Sequence, residues 1–79
     1  MGLFNNKSRM VRKELDEIVK RIVTSYHNKD TDATRAAFVE YKNAVAAAKA
    51  SGSLDEDYIE KYESSIAMYK LTVKCLRDL

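Results

Sequence analysis

Apolar residues recur every three or four positions along this chain, in three successive stretches. The longest runs from Leu54 to Leu79. There Leu54, Tyr58, Tyr62, Ile66, Tyr69, Val73 and Leu76 are spaced four, four, four, three, four and three apart. This is the 3.6-residue period of one face of an α-helix, and no Gly or Pro interrupts it. The pattern predicts one continuous helix over about 54–78, roughly 38 Å long at ~1.5 Å per residue, as the spine for the rest. Ser53 followed by Glu56 reads as a capping box at its start. Asp55, Glu56, Asp57, Glu60 and Glu63 load its N-terminal half with acid, and Lys70, Lys74 and Arg77 load its end with base. Both placements oppose the helix dipole.

Two shorter helices precede it. Val11, Leu15, Ile18, Val19, Ile22, Val23 and Tyr26 form a wide apolar stripe and predict a helix over about 8–28. Asn28 suits a left-handed residue after its end. Asp30, Thr31 or Asp32 then caps a second helix over about 32–50. Its inward face reads Thr34, Ala37, Phe38, Tyr41, Val45 and Ala48. Abundant alanine raises its helix propensity and allows close approach. Gly52 supplies the left-handed stop. Three helices, two short links and no strand pattern predict an all-α domain, a small antiparallel three-helix bundle running up-down-up.

Size adds a constraint. A domain of 79 residues nets only ~3–5 kcal/mol from its own core and often draws on disulfides, metals or oligomerisation. Cys75 is the sole cysteine, so no internal disulfide forms and a reducing, cytoplasmic setting is expected. That leaves self-association, and a homodimer is expected to complete the bundle. No apolar run approaches the ~18 residues of a membrane span. Leu3-Phe4 leads into Asn5-Asn6-Lys7 rather than an apolar signal core. Met1-Gly2 invites a myristoylation reading, but Asn6 stands where that motif has Ser or Thr. Leu3 and Phe4 are expected either to fray or to dock on the core.

Candidate chemistry is sparse. His27 is the only histidine and falls at a helix end. A Cys75–His27 nucleophile pair needs the two ends to meet in space, and no third activating residue is evident. The acids from Asp55 to Glu63 are accounted for by capping and the dipole, so no carboxylate pair for acid–base work is read there. With only Gly2 and Gly52, no Gly-rich phosphate loop exists. No catalytic, cofactor or metal site, and no small-molecule substrate, is expected.

Two surfaces remain. Met68, Leu71, Cys75 and Leu79 form a second apolar stripe on the long helix, roughly opposite its tyrosine-bearing face. A three-helix bundle needs one stripe per helix. The second is therefore covered by the N-terminal segment or by another chain, and Met suits an adaptable contact. Met10 and Val39 lie off the core faces and extend it. This predicts a non-catalytic protein-interaction module: a small regulator, adaptor or inhibitor. The other surface is basic. Lys7, Arg9, Arg12, Lys13, Lys20, Arg21 and Lys29 stand against Glu14, Asp16 and Glu17, seven bases to three acids and a local +4 in a chain of net +2. Nucleic-acid contact through Arg9, Arg12, Lys13, Lys20 and Arg21 is the alternative. The interleaved acids weaken it, and they weaken attraction to an anionic membrane further. The spacing Ala37-x-x-x-Tyr41-x-x-Ala44 resembles helix contacts in tetratricopeptide hairpins and in microtubule-interacting-and-transport domains. The likeness covers those positions alone and carries over no functional residue.

Overall fold

The computed structural model describes the backbone of residues 2–79 and side chains from residue 7 onward. The expectation about Leu3 and Phe4 therefore lies outside the described side chains. Helix α1 spans Gly2–His27, α2 Thr31–Ser51 and α3 Glu56–Thr72, followed by a 3-10 turn at Lys74–Leu76. No strand is present among the described residues. The body measures 42 × 19 × 14 Å.

Local chemistry explains the links. Lys29, rather than Asn28, takes the left-handed conformation after α1 (φ 59). The Asp30 N–H then reaches back to the Ser25 carbonyl at 2.9 Å. The Asp30 carboxylate accepts from the Ala33 N–H at 3.1 Å, capping α2. Gly52 (φ 69) ends α2, and the Ser53 N–H closes on the Ala48 carbonyl at 3.1 Å. The expected Ser53–Glu56 capping box does not form. The N-cap is Asp55, with no side-chain cap bond, and the Ser53 hydroxyl pairs instead with that of Ser51. Leu54, between Ser53 and Asp55 in sequence, is buried. Placing it in the core uses an extended link, which puts Ser53 two residues ahead of the cap position.

The core joins Leu15, Ile18 and Ile22 of α1 to the whole expected face of α2, Thr34 through Ala48, and to Leu54, Ile59, Tyr62, Val73 and Leu76. Buried Thr34 is satisfied by donating its hydroxyl to the Asp30 carbonyl at 2.8 Å. Four aromatic rings meet edge to face. Phe38 meets Tyr69, and Tyr41 meets both Tyr62 and Tyr69, each pair at 6.3 Å between centroids. Burial pushes Tyr41 and Tyr69 above the ordinary tyrosine range. These contacts run α3 antiparallel to α2, giving the up-down-up bundle.

The long rod expected over 54–78 is shorter than its pattern. It ends at Thr72, and Val73 turns into extended backbone (φ −105, ψ 108). Tyr69 already stands beside Phe38, while α2 begins at Thr31. Seven more helical residues would run roughly 10 Å, level with Thr31 at about residue 76, so that only the last three would pass the end of α2. The chain instead hooks back over α2. Leu76 becomes fully buried at 0% exposure. Arg35 donates to the Cys75 carbonyl at 2.6 Å and forks onto Asp78 at 2.8 and 3.1 Å. Lys42 donates to the Leu79 carbonyl.

Candidate interaction surface

The hook splits the expected stripe. Met68 and Leu71 stay on the outer side of α3, 64% and 75% exposed. Cys75 and Leu79 lie beyond the helix end and pack, half-buried, against the core. The four residues do not form one line, because a stripe drawn at helical period needs a helix underneath all of it.

The seam between α1 and α3 supplies what the stripe lost. At its lower end it is closed. The Arg12 guanidinium sits 4.6 Å from the centre of the Tyr58 ring and donates to its hydroxyl at 3.0 Å. The Tyr62 hydroxyl donates to Asp16 at 3.4 Å. Burial, with the Asp16 charge beside it, pushes the Tyr62 phenol up to about 12. Both pairs are separated by 46 residues, so the two helices run parallel in a fixed register. Extending that register by alternate steps of three and four sets Val19 opposite Ser65, Val23 opposite Tyr69 and Tyr26 opposite Thr72. No ion pair or hydrogen bond links the helices along this upper half among the described residues. Among the described residues, no Cα of α1 comes within 8 Å of one of α3. Val23 and Tyr26 are 41% and 54% exposed, although the sequence pattern assigns both to the core.

The seam opens at the top into a cleft of about 530 Å³, where the α1–α2 turn faces the α3 terminus. Tyr26, Thr34, Thr72 and Val73 form part of its wall, with His27, Lys29, Lys74 and Cys75 around them. His27 and Cys75 thus share a cleft, but no carboxylate lines it. Among the described residues, no group of three or more His, Cys, Asp or Glu side chains could hold a metal ion.

The basic residues divide. Arg9, Arg12, Lys13 and Lys20 share a shallow depression on α1 with Asp16 and Glu17. Arg21 points elsewhere and forks onto Glu40 of α2 at 2.8 and 2.9 Å. That pair holds the Glu40 carboxyl below the usual carboxylate range and the guanidinium above its own. Arg12 is committed to Tyr58.

Sequence reasoning missed Val23 and Tyr26 as surface residues. The available signal was the width of the α1 stripe, seven positions, which is more than one neighbouring helix covers. It also missed Arg35 and Lys42, whose partners lie in the hook. No described helix is long and apolar enough to cross a membrane. No protein-family model, curated protein or solved structure matches this chain, and the fold and the open seam stand on their own geometry.

Proposed function

We propose that this chain is a non-catalytic protein-interaction module, a small regulator, adaptor or inhibitor, working in a reducing cytoplasmic setting. Its mechanism is burial of the apolar surface formed by Met68 and Leu71 of α3 with Val23 and Tyr26 of α1. The observation that supports this most is the exposure of Leu71, 75%, on a helix whose opposite face already completes the core. Large apolar side chains left exposed on a small domain mark a contact surface where they adjoin. Homodimerisation is one form such burial takes.

The test is affinity capture from an extract of the source cells under native conditions, comparing wild type with Met68→Asp and Leu71→Asp. Both positions are exposed, so each change alters fold stability by no more than ~0.5 kcal/mol. Loss of a captured partner with unchanged circular dichroism supports the reading. Identical capture by all three proteins refutes it. Nucleic-acid contact is the second reading, supported by the shared depression of Arg9, Arg12, Lys13 and Lys20. Retention on heparin that weakens with salt is its signature.

A further inference from the structure

We infer that residues 73–79 form a releasable strap, which opens as one unit from the flank of α2 while the three helices stay folded, with Arg35 as its latch. This goes beyond the partner reading and does not depend on it.

The inference follows from how the segment is attached. Its backbone bonds only to itself and to the end of α3: the Val73 N–H to the Tyr69 carbonyl, Leu76 to Val73, Arg77 to Lys74 and Leu79 to Leu76. Among the described residues, no backbone hydrogen bond joins it to α1 or α2. Side chains make the polar ties to α2. Arg35 donates to the Cys75 carbonyl and to both Asp78 oxygens, and Lys42 donates to the Leu79 carbonyl. The apolar anchor is Leu76, fully buried. The pivot is Val73, already extended just past the end of α3.

Opening the strap therefore breaks no backbone ladder of the bundle. A terminal segment tied by a few side chains opens at a lower free energy than the core beside it. Arg35 supplies most of the polar ties, so removing its charge acts on the strap first. Phe38 lies close to the strap's end. Lys42 stands 5.9 Å from the centre of the Phe38 ring while it holds the Leu79 carbonyl. The closed strap thus forms part of the cover over Phe38, which is fully buried, and opening exposes an apolar patch of α2 distinct from Met68 and Leu71.

The test is native-state hydrogen exchange of the full chain, read by NMR at several urea concentrations below the unfolding transition. A three-residue 3-10 turn does not persist undocked, so the Leu76, Arg77 and Leu79 amides report opening. They are expected to exchange together, at least about tenfold faster than the Ile18 and Tyr41 amides, and with little urea dependence. Arg35→Gln should speed them a further tenfold or so while that dependence stays flat. Ile22→Val, a mild change in the α1 core, should speed Ile18 and Tyr41 and leave the strap amides unchanged, because opening the strap does not disturb Ile22. Strap and core amides that share one rate and one steep urea dependence overturn the proposal, since the segment then unfolds only with the bundle. Strap amides exchanging as fast as an unstructured peptide overturn it too, since nothing then holds the strap shut. Flat exchange that Arg35→Gln leaves unchanged overturns Arg35 as the latch.

Discussion

Truncating Leu76 to alanine tests the hook, the feature in which the fold departs most from its hydrophobic pattern. Leu76 is completely buried, 0% exposed, in a turn of three residues beyond the end of α3. Removing a buried leucine side chain costs ~2–5 kcal/mol, depending on how far the site collapses. The hook is short and is tied to α2 by Arg35 and Lys42, so it relaxes more readily than a central helix. We therefore expect about 3 kcal/mol. For a 79-residue chain, whose whole stability is roughly 4–12 kcal/mol, this is a large share. Leu71→Ala, at a position 75% exposed, should cost less than ~0.5 kcal/mol. Urea unfolding followed by helical circular dichroism reads both. With a slope of about 1 kcal/mol/M, Leu76→Ala lowers the midpoint by roughly 2–3 M, while Leu71→Ala leaves it nearly unchanged. If Leu71→Ala lowers the midpoint as much as Leu76→Ala, the outer side of α3 is buried and the packing argued above is wrong.

Two further outcomes follow from the same geometry. The Tyr62 phenol is raised from 10 to about 12 in the folded chain. Its contribution is therefore fully present below pH 10 and fades as pH climbs toward 12, amounting to about 2–3 kcal/mol at most. Absorbance at 295 nm followed with circular dichroism should show delayed tyrosine ionisation coinciding with helix loss, and ionisation of every tyrosine near 10 with the helix intact contradicts this. Gly52 holds φ at +69 with open space where a Cβ would stand, so Gly52→Ala should cost about 1 kcal/mol from backbone conformation alone, read as a fall in thermal midpoint.

The sequence pattern already contained α2, whose six inward residues are all buried as their spacing predicts. Its caps followed from Asp30 and Gly52. The end of α3 was not legible. Helical period is a local property, and the contacts that hold the hook, from Arg35 and Lys42 to the chain end, are long-range and leave no mark in it. For the same reason the stripe of Met68, Leu71, Cys75 and Leu79 read as one surface and divides into two exposed and two half-buried residues. On α3, Ile59 rather than Tyr58 takes the deeper position. Tyr58 instead lies under Arg12, a long-range contact that periodicity does not encode. On α1, the three-and-four spacing identified the apolar stripe but not its edge. Val23 and Tyr26 belong to the stripe by pattern and to the surface by geometry, because α3 stands too far away to cover them.

The fold completes its core while leaving Val23, Tyr26, Met68 and Leu71 exposed. Methyl NMR of the monomeric protein with a soluble gadolinium chelate tests this most directly. Strong broadening of the Val23, Met68 and Leu71 methyls, with Leu15, Ile22 and Leu76 protected, is the predicted result. Protection of Val23, Met68 and Leu71 in a chain that sediments as a monomer would mean the seam is already filled.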